Sequence, residues 1–174
     1  MQNILDISLI NYKTFSGRYI LYGENGKGKE YNIYNDKLLF EGEYLNGKKN
    51  GKGKEYTFSG QLHFEGEYLN GERNGIGKEY NKEGCLIFEG EYLNGERNGK
   101  GKEYYYNGKL IFEGEYLNGK KWNGKGKEYK DDKLIFEGAY LNGKKWNGKG
   151  YDNKNILYMN KMELEKNILA MMRD

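Results

Sequence analysis

Residues 88–104 read FEGEYLNGERNGKGKEY, and the first five alternate ring, charge, glycine, charge, ring. A period of two marks a β-strand, because successive side chains point to opposite faces. In the copy that opens at Phe112, the ring positions Phe112 and Tyr116 share a face with Gly114, while Glu113 and Glu115 take the other. The GKGKE segment alternates too, with Gly99 and Gly101 on one face and Lys100 and Lys102 on the other. Between the two segments stands Asn94-Gly95, whose residues both tolerate positive φ and favour a two-residue hairpin turn. The stretch reads as one β-hairpin.

The hairpin recurs. Phe40, Phe64, Phe88, Phe112 and Phe136 open successive copies of FEGEYLNG, 24 residues apart, the last written FEGAYLNG. Asn-Gly stands at the same point of the copies at 46–47, 70–71 and 118–119, and a worn copy runs from Phe15 to Tyr31. A fixed period of this length signals a repeat architecture. A second turn joins the units, most visibly at Asn107-Gly108; a two-residue turn there sets Gly101 opposite Gly114 and Lys102 opposite Glu113. One face then carries lysines against glutamates, in pairs worth only a few tenths of a kcal/mol. The other carries rings beside glycines, so that Gly114, Gly124 and Gly126 act as sockets as much as turn residues. A lone hairpin cannot bury its rings, and stability has to come from stacking units. The expected fold is all-β: an elongated single-layer antiparallel meander of about six stacked hairpin repeats and about twelve strands, over residues 15–158.

YLNGKKNGKGKEY (44–56) together with FEGEY resembles the MORN repeat, an aromatic, Gly, aromatic pattern followed by G-x-x-(H/N)-G-x-G. Asn50, Asn74 and Asn98 stand where that family often has histidine. The longer second strand and its KEYxxxGxLI tail are also similar to the bacterial YwqK-type repeats. The likeness covers residues 15–151. It implies an elongated single-layer β scaffold for protein partners, with phospholipid binding proposed for such repeats, and no cofactor. The YwqK likeness implies a toxin-neutralising binding protein as another possibility.

Composition agrees with a thin, ordered structure. The mean hydropathy is −1.04 and 32% of residues are charged, yet 16% are aromatic, 18 of them tyrosines, and the net charge is only +3. Disordered chains lack rings because they have no core to fill. Twenty-seven glycines and no proline suit tight turns between strands that need all their amide donors. Balanced charge gives no electrostatic footprint for nucleic acid. A single cysteine, Cys85, and a single histidine, His63, supply neither a disulfide framework nor a zinc site. The glutamates recur at one position per unit beside lysines, whereas catalytic carboxylates need a special environment at one place. GKGK completes no phosphate loop. The reading is of a protein that is not an enzyme, without leader or membrane span, in the cytoplasm.

The two ends differ from the repeat. Residues 1–14, with ILDISLI, are expected to cover one open edge. Residues 159–174 read as an amphipathic helix: Leu164, Ile168, Met171 and Met172 fall at i, i+4, i+7 and i+8, and Asn160 with Glu163 suits a cap. That helix either caps the last hairpin or docks a partner. Trp122 and Trp146 are each inserted into an otherwise standard copy. A one-residue slip would flip every following side chain, so each must sit in the loop or form a bulge. Tyr129 to Phe136 spans seven positions where Tyr104 to Phe112 spans eight, which restores the period. Trp122 and Trp146, with the helix residues, are the candidate surface for a protein partner or for self-association. A membrane-lipid role is disfavoured, since each lysine has a glutamate nearby.

Overall fold

A computed structural model describes residues 11–14, 17–130, 132–151 and 156–159, with side chains for 17–130 and 132–151. The chain divides into two units, residues 1–86 with 92–95 and residues 87–91 with 96–174. In the first, β1 (Asn11–Thr14), β2 (Arg18–Tyr22), β3 (Lys27–Asn32), β4 (Leu38–Leu45), β5 (Lys48–Tyr56), β6 (Leu62–Leu69) and β7 (Glu72–Tyr80) pair in that order, each antiparallel to the next. The residues of β8 (Leu86–Leu93) are divided between the units. In the second, β9 (Glu96–Tyr104), β10 (Leu110–Leu117), β11 (Lys120–Lys130), β12 (Lys133–Leu141), β13 (Lys144–Tyr151) and β14 (Ile156–Met159) do the same. The protein is all-β and antiparallel, and each unit is an open meander. Strands β2–β13 are the twelve expected from the repeat, and among the described residues β1 and β14 are added to them. The helix expected after Asn160, with Leu164, Ile168, Met171 and Met172, lies outside the described residues, as does ILDISLI.

The Asn-Gly turns form as their chemistry dictates. Asn118 and Gly119 have φ of 49° and 76°, and Leu117 pairs with Lys120 across them. Both residues are left-handed, which is the type I′ geometry that matches strand twist. The same turn closes at Asn142-Gly143.

The second kind of turn corrects the sequence reading, although the register it led to holds. Asn107-Gly108 is not a two-residue turn: the Tyr105 N–H donates to the Lys109 carbonyl at 2.8 Å, so three residues fill the loop. Ile111 is then left unpaired as a bulge, between Leu110↔Tyr104 and Phe112↔Glu103. One residue too many in the loop is cancelled by one in the strand, and Gly101 still faces Gly114 and Lys102 still faces Glu113. His63 occupies the equivalent bulge of β6, between Leu62↔Tyr56 and Phe64↔Glu55.

The inserted tryptophans are absorbed by a change of register. In β4–β5 the pairs Tyr44↔Lys49 and Gly42↔Gly53 leave two more residues on β5 than on β4, and β6–β7 repeats this. In β10–β11 the pairs are Tyr116↔Lys121 and Gly114↔Gly124, with Trp122 alone as the extra residue. A two-residue bulge plus one insertion has become a one-residue bulge plus a slip of two. Two is the period of the pleat, so every side chain keeps its face. The first glycine of the NGKG segment now faces Gly114, in place of the second, while Gly126 still faces Gly138 on the other side. Trp146 is the extra residue of β13 in the same way. Deleting Trp122 should return Gly114 to a position opposite Gly126 at a cost of about 1 kcal/mol or less, since one bulge replaces another. Cross-strand Hα–Hα contacts would read the register; an unchanged Gly114–Gly124 contact would refute the slip.

The core lies within the sheet itself. Phe40, Phe64, Phe88, Phe112 and Phe136 are at most 1% exposed. Each ring lies over glycines: an added Cβ at Gly101 would stand 2.6 Å from Phe88 Cζ and 3.2 Å from Tyr116 Cε2. Tyrosines close the ring edges, Phe112 lying at right angles to Tyr116 and Tyr140 with centroids 5.2 and 5.5 Å away. Cations close the remaining face, Arg73 over Phe64 at 4.0 Å and Arg97 over Phe88 at 4.1 Å. Complete burial of a phenylalanine contributes about 1.5–3 kcal/mol, and a good edge-to-face pair adds about 0.5–1.5. At Gly114 the obstacle is different from the expected ring. A Cβ there would run into the Asn123 carbonyl oxygen and approach the Gly124 Cα at 2.6 Å.

Candidate interaction surface

On the charge face of the first unit the side chains stand in rows that cross the strands. Gly28, Gly42, Gly53, Gly66 and Gly77 are opposite one another on β3 to β7. Their Cβ positions point at the rings, so on the charge face this line shows backbone only. It forms the floor of a groove of about 840 Å³. One wall is Lys29, Glu41, Lys54, Glu65 and Lys78; the other is Lys27, Glu43, Lys52, Glu67 and Ile76. Charge therefore alternates from strand to strand, at a spacing of about 4.8 Å. Ion pairs within the wall are loose: Lys29–Glu41 is 3.8 Å and Lys54–Glu65 is 4.0 Å. Tyr56 and Tyr80 donate to Glu41 and Glu65 at 2.7 Å each. Burial, then the bond to Glu41, pushes the Tyr56 hydroxyl up to about 12. Ile76 is 57% exposed at the groove's edge.

The ring face carries a second row of carboxylates that the sequence reading missed. The glutamate of each KEY lies two residues beyond a socket glycine and so faces the rings. Glu55 meets Arg73 at 2.6 Å and Lys49 at 3.5 Å, and Glu103 meets Lys121 at 3.4 Å and Arg97 at 3.7 Å. Tyr92 and Tyr116 donate to Glu79 and Glu103 at 2.6 and 2.8 Å. Burial alone would raise Glu55, but the Arg73 charge and hydrogen bond, with Lys49, outweigh it and hold its carboxyl below the usual range. The cations that lie over the phenylalanines are thereby tied down at both ends. The signal was present in the parity of GKGKE and in the basic residue always found at 49, 73, 97, 121 and 145.

Trp122 and Trp146 are both half-buried. The Trp122 carbonyl accepts the Gly143 N–H at 2.9 Å, and its ring lies 3.5 Å from where a Gly143 Cβ would be. Trp122 is therefore seated against the turn of the next hairpin. Phe112 and Tyr116 are buried, Gly126 lies under Phe112 and Tyr140, and Gly124 is the backbone partner of Gly114. Among the described residues no group of three or more His, Cys, Asp and Glu side chains is placed to hold a metal.

Tandem hairpins in register, with glycine-seated rings on one face and charge rows on the other, define a β-hairpin repeat protein. Three of the hairpins are MORN repeats: the family model matches residues 40–61, 64–85 and 88–109. Proteins built on MORN repeats are generally non-enzymatic scaffolds that bind proteins or membranes. No curated protein matches the chain.

Proposed function

We propose that this protein is a non-enzymatic repeat scaffold, in the cytoplasm, and that the charge face of its first unit receives a protein partner. The observation that carries this reading is the groove over Gly28, Gly42, Gly53, Gly66 and Gly77, with its alternating walls. Its dimensions suit a polypeptide segment, and its charges favour a partner of complementary pattern over any surface of uniform sign. An anionic membrane gains little there, because the lysines alternate with glutamates and their attraction is screened at physiological salt.

The test places a photoreactive residue at Ile76 and compares the parent with a charge-inverted variant, Lys54→Glu with Glu65→Lys. The inversion keeps the 54–65 pair but sets like charges across 41/54 and 65/78 and removes the acceptor of the Tyr80 hydroxyl. A thermal melt therefore confirms that the variant is folded before its adducts are compared. Protein adducts from the parent that disappear on inversion are expected. Adducts with lipid only, or the same protein adducts from both, would defeat the reading.

A further inference from the structure

The second unit holds a place in the charge rows where a carboxylate is missing. Each FEGEY copy has a second glutamate, Glu43, Glu67, Glu91 or Glu115, but the last copy has Ala139. The two Trp-bearing hairpins allow a direct comparison. In the first, Glu115 lies between Lys100 on β9 and Asn123 on β11, and its carboxylate accepts the Asn123 amide at 2.9 Å. In the second, Ala139 lies between Lys125 on β11 and Asn147 on β13, in the same register. The cation and the amide are kept; the acceptor is gone.

The neighbours do not replace it. Glu113, across from Lys125 on β10, is engaged by Lys102 at 3.4 Å, and Glu137 is engaged by Lys127 at 3.0 Å. Lys125, Asn147 and Lys149 are exposed. On the charge face of β11 to β13 three lysines, at 125, 127 and 149, stand against one glutamate, Glu137. The equivalent stretch of β5 to β7 has three lysines and two glutamates.

We propose that this position is a binding site for an acidic peptide, one carboxylate of which takes the place that Glu115 holds in the preceding hairpin. That carboxylate accepts from the Asn147 amide and pairs with Lys125. One such exposed contact is screened by water, so a single free carboxylate gains little. A peptide with acidic residues at alternate positions gains more. In an extended chain, side chains two residues apart are about 6.8 Å apart, which is the spacing of Asn147 and Lys149 along β13, so a second carboxylate reaches the exposed Lys149. The proposal rests on the reading of the protein as a protein-binding scaffold and adds the chemistry of one partner.

The test titrates the full chain with a capped pentapeptide of alternating glutamate and serine, followed by the amide shifts of Ala139 and the Asn147 side chain. Trp146 adjoins Asn147, so tryptophan emission gives a second readout. Shifts centred on Ala139 and Asn147 are expected. Ala139→Glu restores the repeat's own residue, should fold like the parent, and should weaken binding at least fivefold. Lys125→Gln should weaken it similarly. No shift at millimolar peptide, shifts spread evenly over all the lysines, or binding unaffected by Ala139→Glu would each overturn the proposal. Shifts produced by phosphatidylserine vesicles but not by the peptide would overturn it as well. Crosslinking from Ile76 reads the first unit independently, so failure at Ala139 leaves the groove result intact.

Discussion

Gly101→Val should cost at least about 3 kcal/mol of stability, whereas Glu113→Gln should cost no more than about 0.5 kcal/mol. The two positions are neighbours in one repeat pattern, but different physics acts on them. At Gly101 a Cβ would stand 2.6 Å from Phe88 Cζ, and the ring has nowhere to retreat, with Tyr116 and Arg97 against it. Expelling the ring forfeits its burial and its edge-to-face pair together. Glu113, by contrast, is paired at 3.4 Å with both side chains about half exposed, so water screens the interaction. Urea melts of the two variants would decide the matter. Equal, small losses would remove the socket from the account of stability.

The second large effect is alkaline unfolding. Tyr56 and Tyr104 are pushed up to about 12, first by burial and then by hydrogen bonds to Glu41 and Glu89. Tyr116 and Tyr140 are raised as well, by burial and by Glu103 and Glu128. In the unfolded chain tyrosine titrates near 10. A pKa higher in the folded state means that the unfolded state loses protons first, so stability is whole below about pH 10 and falls as pH rises toward 12. The protein should stay folded at pH 9 and unfold cooperatively between about pH 10.5 and 12, with a burst of tyrosinate absorbance coincident with loss of the far-ultraviolet signal. Gradual, non-cooperative tyrosine titration centred near 10 would show that these hydroxyls are not held by the fold.

The hairpins were legible because their chemistry is local and repeated. Period-two alternation placed Phe112, Gly114 and Tyr116 on one face, and Asn-Gly has few ways to turn. The register of Gly101 with Gly114 was also recovered, but for a reason only half right. A two-residue turn at Asn107-Gly108 and a three-residue loop with a bulge at Ile111 give the same pairing, and sequence parity cannot separate them. The KEY glutamates were missed because a carboxylate facing phenylalanines contradicts the usual patterning. It is tolerable only because Arg73, Arg97 and the equivalent lysines compensate it, which is a three-dimensional fact. The vacancy at Ala139 was visible as a letter, but its meaning depends on Lys125 and Asn147 standing on either side. Lys125 faces Ala139 in the repeat's ordinary register, but Asn147 faces it only through the slip at Trp146, which no local rule foretells.

The Gly-Lys-Gly segment gives each hairpin two equivalent settings, since glycine meets glycine whether a strand engages through Gly124 or through the residue two places on. A notched mechanism of this kind corrects errors of length. An extra codon near the tip of a hairpin advances the strand by one notch, and the disturbance ends there. It does not reach the next copy, because β11 meets β12 through Gly126 as the other copies do. Copies in such an array can therefore gain new tip residues one at a time while the rows across the strands stay in step. Novelty at the rim and fidelity in the interior become separate variables, and Trp122 and Trp146 are where this chain has used that freedom.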